Sequence, residues 1–432
     1  MADPARPFTL VEKISDLFAR LLLRPQIRVP EPPAEAGHDL ATRADELNTA
    51  AEQYYLDTEA KHYIQGKPFS DPFAFPRYLF NLGVLFEHLQ VGPGDVVLEL
   101  GAGSAWVSHF LNLFGCQTIA VDVSPTALEM AREVFEQNPR TRWDLDPQFL
   151  PYDGYRLPLA DGQCDRIVLH DAFHHIPNTD QLLAEMARVL RPGGIVAMSE
   201  PGREHSASEV GQQEAAETGV LENDVVVEEL DRQARTAGFD RTLVVPVALN
   251  PPPVPAADFP RFLQGKGFTR FWKGFTGELL AQHFILIYKG EPQPTTRRPG
   301  WLAAEIAVET ATAPLIASAG EELQLDCRLR NRGDTRWIAG GARERAGDTR
   351  LGARLQKPGE DGLRDWARAP LPQDIAPGGE AAVTLTLRAP DEAGSYRVVL
   401  DLVAEQVAWF ADRGSPTTVL ELEVEGPQPA SS

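Results

Sequence analysis

The sequence predicts an α/β domain, a parallel sheet with helices on both faces, followed by an all-β sandwich. Three observations predict it. From about residue 75 to 290, short apolar strands alternate with amphipathic helices. Residues 291–300, Glu-Pro-Gln-Pro-Thr-Thr-Arg-Arg-Pro-Gly, have the composition of a linker. Beyond them the hydrophobic period changes to two. The length of 432 residues exceeds one hydrophobic core, which agrees with more than one domain.

Residues 1–74 read as a helical N-terminal extension and linker. Phe8, Val11, Ile14, Phe18, Leu21 and Leu22 share one side of a helix over 8–23. Its polar side mixes both charge signs, so the helix is expected to dock on its own protein and not on a membrane. The Pro- and Ala-rich stretch 24–37 reads as linker.

Residues 75–290 form the α/β unit. Val96–Leu100 is a short apolar strand that runs into closely spaced glycines and a helix. Thr118–Val123 is the next strand. Ser124 caps the following helix and Pro125 stands in its first turn. Arg166–His170 is a further strand. Asn178 and Gln181 have capping-box spacing ahead of Leu182, Met186 and Val189. Arg191-Pro192-Gly193-Gly194 ends that helix and leads into strand Ile195–Ser199.

Residues 301–426 form the sandwich, and 427–432 a disordered tail. Leu323, Leu325, Cys327 and Leu329 alternate with polar residues, as do Val383, Leu385 and Leu387, and Leu420, Leu422 and Val424. Trp337 is expected to pack inside and Tyr396 to close a corner. Trp366, Trp409 and Phe410 suit either sugar stacking or the core, and core is favoured.

The formal net charge is −21, divided as −14 before residue 300 and −7 from there on. Neither part is a basic module, which argues against a nucleic-acid binder that tracks phosphates. Cys116, Cys164 and Cys327 are too few and too scattered for a disulfide framework or a zinc spacing. No run has the apolar length of a membrane span, and the N-terminus lacks signal-peptide features. A cytoplasmic location is expected.

The chemistry concentrates at Glu99-Leu100-Gly101-Ala102-Gly103-Ser104-Ala105. Glycines there let backbone approach a ligand, and the next helix presents free N–H groups. Asp122 ends the second strand, where an acid can bond both hydroxyls of an adenosine ribose. A dinucleotide fingerprint would need Gly at 106, where this chain has Trp106.

These residues resemble the class I S-adenosylmethionine-dependent methyltransferases that act on small molecules, a Rossmann-like family. Glu99, Gly101 and Gly103 match its first motif, with Ala105 in place of the third glycine. Asp122 matches the acid after the second strand, and Asp153, in Phe149-Leu150-Pro151-Tyr152-Asp153-Gly154, the acid that receives the adenine amino group. Leu190–Gly194 matches the turn before the fifth strand, and Leu279–Gly290 the last strand. The resemblance implies S-adenosyl-L-methionine as cofactor, held by Glu99, Gly101, Gly103, Asp122 and Asp153, with His170 or Asp171 lining its pocket.

Catalytic groups belong beyond the carboxyl ends of the strands. Two His-bearing loops lie there, His170–His175 and Glu200–Ser206. His174, His175 and His205 are candidate bases, with Glu200 to orient one of them or to bind substrate. A metal held by His174, His175, Glu200 and His205 ranks below a metal-free site, because adjacent histidines generally point apart, and no metal is assigned. Phe271, Trp272 and Phe275 lie in a segment that can cover the site or join the core.

Residues 301–426 resemble bacterial immunoglobulin-like modules attached to polysaccharide-processing proteins. That resemblance makes a sugar or glycan-precursor hydroxyl the leading acceptor, in polysaccharide biosynthesis. The alternatives are a small-molecule methyltransferase whose sandwich makes a homo-oligomer, and a glycan-binding scaffold without turnover.

Overall fold

The computed structural model describes residues 37–56, 58–251, 253–266, 268–309, 314–340, 344–357, 359–360 and 362–426. The helix expected over 8–23, nearly all of the linker at 24–37 and the tail at 427–432 lie outside the described residues.

The first sheet comprises β1 (Val96–Leu100), β2 (Gln117–Asp122), β3 (Gln148–Pro151), β4 (Cys164–His170), β5 (Leu190–Pro201), β6 (Arg241–Val244) and β7 (Gln282–Lys289). Their spatial order is β3-β2-β1-β4-β5-β7-β6. Strands β1 to β5 are parallel, and β7 runs antiparallel between β5 and β6. The chain winds outward from β1 in one direction and then returns to place β4 on its other side. That reversal opens a crevice beyond the carboxyl ends of β1 and β4, where ligands bind in such sheets.

Period two along β1 divides the core. Leu98 and Leu100 pack on one face with Ile119, Ile167, Leu169, Leu182 and Met186. Val97 packs on the other with Leu85, Leu89, Val107 and Leu111. Both faces are covered, so every residue of the strand is buried, the carboxyl of Glu99 included. Helix Phe75–Leu89 and helix Trp106–Phe114 cover one side, and helix Thr179–Val189 the other.

Ser124 caps helix Pro125–Gln137 and accepts from the Ala127 N–H. Asn178 stands at the N-cap of its helix without bonding it; its amide donates instead to the Gly154 carbonyl, so the expected capping box is not made. The competing acceptor ties the helix start to the loop after β3.

The C-terminal part is strand-rich. A three-stranded sheet is ordered β14 (Glu380–Arg388), β10 (Glu322–Asn331) and β8 (Ala304–Val308). A second sheet is ordered β11 (Ile338–Ala339), β12 (Asp348–Gln356), β15 (Gly394–Ala404), β17 (Thr418–Glu425) and β9 (Leu315–Ser318), with β13 (Arg364–Pro370) paired to β12 and β16 (Ala408–Trp409) to β15. Trp337 is fully buried against Phe410. Tyr396 Oη donates to the Glu392 carbonyl at 2.8 Å, closing a corner four residues upstream. Trp409 carries Arg354 and Arg368 guanidinium groups over its ring at 4.2 and 4.3 Å. All three cysteines are free and buried. No described helix is long and apolar enough to cross a membrane.

Residues 295–298 run as a strap between the two parts. Thr296 is fully buried and its Oγ1 donates to the Gly347 carbonyl. The Arg297 guanidinium lies 3.1 Å from Asp165 and 3.5 Å from Asp95. Gly92, Gly94 and Gly347 press against Arg297 or its neighbour segment, where a Cβ would collide with backbone.

Candidate functional site

A cavity of about 590 Å³ opens at the topological reversal. At one end, Gly101 (φ 65°) and Gly103 (φ 53°) turn the chain from β1 into the next helix. A Cβ on Gly101 would lie 2.7 Å from the Ala172 Cβ, and one on Gly103 2.9 Å from the Tyr55 hydroxyl. Asp122 Oδ2 accepts the Gly103 N–H and Oδ1 the Ser124 N–H, fastening the end of β2 to the glycine turn. Burial raises the Asp122 carboxyl above its ordinary value, against the pull of these bonds. Glu99, also buried, accepts the Ser108 N–H at 2.7 Å, yet burial pushes its carboxyl up to about 8. Ala105, at the third-glycine position, is left-handed (φ 52°) and wholly buried.

Trp106 begins the helix and lines the cavity, its ring edge-on to His170 at 5.1 Å. His170 Nε2 meets the Asn81 amide at 3.2 Å, and Nδ1 lies 3.4 Å from Asp171. Burial keeps His170 below its ordinary value. Burial alone would raise Asp171, but His170, Arg77, His174 and Lys67 outweigh it and hold the carboxyl low. Asp153 is exposed at the neighbouring turn, where its Oδ1 accepts the Tyr155 and Arg156 N–H groups; Tyr152 is the residue of that segment that lines the cavity.

At the other end, the structure brings the predicted catalytic histidines together. Fully buried Glu200 accepts the N–H groups of Ala172 and Phe173 and meets His174 Nδ1 at 2.7 Å. Burial opposes a charge on His174, but Glu200, with Asp171 and Glu222, more than offsets it and raises the imidazole. His175 Nδ1 donates to the Leu221 carbonyl at 2.6 Å, and burial together with His174 lowers its imidazole to about 4. His205 Nε2 bonds Glu222 Oε2 at 2.8 Å. Burial would raise Glu222, but His205, His175 and His174 hold it low.

The sequence reading missed Glu222, the carboxylate on which all three histidines converge. It stands in Leu221-Glu222-Asn223-Asp224, a polar stretch between helices with no motif around it. It also missed one wall of the cavity, built by Leu47, Asn48, Ala51, Tyr54, Tyr55, Tyr63, Ile64 and Lys67. These belong to helices Ala44–Leu56 and Thr58–Gln65 and the turn after them, read as extension. Glu52 anchors that wall at the N-terminus of helix Pro125–Gln137, accepting from the Ser124 and Thr126 hydroxyls. No local motif marks it; the amphipathic spacing of Leu47, Ala51 and Tyr55 is the available signal. Phe271, Trp272 and Phe275 cluster among themselves and do not line this cavity.

Residues 98–198 match the protein family described as a methyltransferase domain. The methyltransferase GfsG of Streptomyces halstedii is 36% identical over 123 residues, covering 27% of this chain and 41% of that protein. A demethylmenaquinone methyltransferase of Parafrankia sp. (strain EAN1pec) is 31% identical over 126 residues, covering 27% of this chain and 50% of that protein. The chain spans half the length or less of these curated relatives. Among solved structures, a SAM dependent methyltransferase from Aquifex aeolicus is 20% identical, covering 44% of this chain and 93% of that chain, with a TM-score of 0.35. The matched stretch runs from β1 into β5 and contains Gly101, Gly103, Asp122 and the His170–His175 loop. Over residues 98–198 this chain is thus similar to a methyltransferase domain.

Proposed function

We propose that the whole chain methylates a hydroxyl of a small-molecule acceptor, with a sugar or glycan-precursor hydroxyl as the leading class. One observation carries this reading: a single cavity joins the Gly101–Gly103 turn and Asp122 to an imidazole–carboxylate cluster around Glu222.

The first end fits the cofactor. Gly101 and Gly103 form a cradle that side chains would fill. Asn48 contributes a buried Nδ2 with no partner, a donor free for a ligand. Glu99, Gly101, Gly103 and Asp122 would hold S-adenosylmethionine, with Asp153 at the adenine edge and His170 and Asp171 along the wall. When bound, that group supplies an electrophilic methyl carbon on a sulfonium. The protein's part is mainly to hold the acceptor in line.

An acceptor hydroxyl must also lose its proton. Glu222 on Nε2 of His205 keeps a proton on that nitrogen and leaves Nδ1 as the base. His175 stands in the same wall with its Nδ1 held by the Leu221 carbonyl. Glu200 acts through His174 and the backbone of residues 172–174 and is a positioning residue. Acceptors with hydroxyls suit this cluster better than amines, which need no strong base after transfer. The sandwich serves as a module fixed by the 295–298 strap.

The test is to incubate the chain with S-adenosylmethionine labelled in the methyl group and a panel of nucleotide sugars, phenols and amines. Label is expected on hydroxyl oxygen. Transfer to amines alone, or to none of the panel by protein that binds the cofactor, would contradict the reading.

A further inference from the structure

We propose that His174, His175 and Glu222 hold a divalent first-row transition-metal ion in the cavity wall. Their donor atoms lie within 4.8 Å of one another. Two imidazoles and one carboxylate form the donor set that suits zinc, iron, manganese or cobalt, and three protein ligands leave a position open.

The expectation that adjacent histidines point apart fails here for a local reason. The short 3₁₀ turn Phe173–His175, tied down by Glu200, brings the two rings to 3.8 Å between centroids. His174 Nε2 lies 3.5 Å from Glu222 Oε2, and His175, whose Nδ1 donates to the Leu221 carbonyl, keeps Nε2 as its ligand atom. Tetrahedral bonds of ~2.1 Å separate ligand atoms by about 3.4 Å, so the His174–Glu222 pair already stands at the spacing that an ion needs.

Each ligand also has an outer partner of the kind that orients metal ligands. His174 bonds Glu200, His175 bonds the Leu221 carbonyl, and Glu222 bonds His205. All three ligands line the cavity, so the open position faces the space where the acceptor would lie. His205 and Glu214 form a second set with Glu222 and flank that position. The metal ligand is thus Glu222; Glu200, the carboxylate considered from sequence, belongs behind His174.

This inference stands without the methyl-transfer reading, and its test does not use activity. The full chain is stripped with a chelator and titrated with Co²⁺, following its visible absorption and the bound metal per chain. One Co²⁺ per chain, displaced by Zn²⁺, is expected. Glu222→Gln and His175→Ala should each weaken binding at least ~100-fold, and Glu200→Gln by about 10–100-fold, with circular dichroism unchanged. The absence of stoichiometric binding by the wild-type chain would overturn the site, as would wild-type affinity in both Glu222→Gln and His175→Ala. Calorimetry with S-adenosylmethionine on the same stripped chain separates the two readings: cofactor binding without metal binding overturns the metal site alone.

Discussion

His174 Nδ1 lies 2.7 Å from Glu200 Oε2, and the same carboxyl collects the backbone N–H groups of Ala172 and Phe173. One side chain at the end of β5 therefore shapes the whole loop after β4. Glu200→Ala leaves those donors buried and unpaired. It should destabilise the fold by about 3–5 kcal/mol, read from denaturant unfolding. Glu200→Gln should keep much of the stability and lower kcat more than it changes cofactor affinity. A loss of stability within experimental error for Glu200→Ala would contradict the anchoring role.

With Glu99 in the proposed cofactor site, cofactor binding should depend on pH. The carboxyl's ordinary value of 4.5 is pushed up to about 8 by burial. With the folded value raised, its stabilising contribution is full below about 4.5 and is lost as pH rises through about 8. A cationic cofactor favours the ionised form, so affinity should rise with pH up to about 8 and then level off. Between these limits, binding should release a proton, seen as a dependence of calorimetric heat on buffer ionisation enthalpy. Glu99→Gln should abolish that dependence.

Arg297 sits between Asp165 and Asp95 at the seam of the two parts. Arg297→Ala leaves both carboxyls without this partner, and a cost of about 3–5 kcal/mol is expected. If the strap couples the two parts, a single thermal transition in the wild type should split into two in the variant. An unchanged single transition would show that the seam does not depend on this residue.

Ala105 holds a left-handed conformation in a buried turn. That conformation costs an L-residue roughly 1–2 kcal/mol. Ala105→Gly should raise or preserve the melting temperature, and Ala105→Val should lower it. A clear loss on Ala105→Gly would show that the methyl group's packing outweighs its strain.

The α/β part was legible because its strands are buried on both faces and its turns use Gly, Pro and Ser for local reasons. Val96–Leu100, Ser124 and the Arg191–Gly194 turn each announce themselves within a few residues. The same holds for the period-two strands around Cys327 and Leu385. Glu222 was not legible, since its role comes from three imidazoles arriving from two other loops. The Tyr55 wall was hidden because residues 44–67 precede the first strand, and only the fold lays them across the glycine turn. Asn178 shows the limit of a motif: the spacing was right, but the Gly154 carbonyl took the amide.

Asp122 offers the most direct measurement. Calorimetry of the intact chain with S-adenosylmethionine should show one cofactor bound per chain, and Asp122→Ala should weaken it by about 10–100-fold, the worth of a charge-assisted hydrogen bond. No binding by the folded wild-type chain, or equal affinity in Asp122→Ala, would contradict the cofactor site.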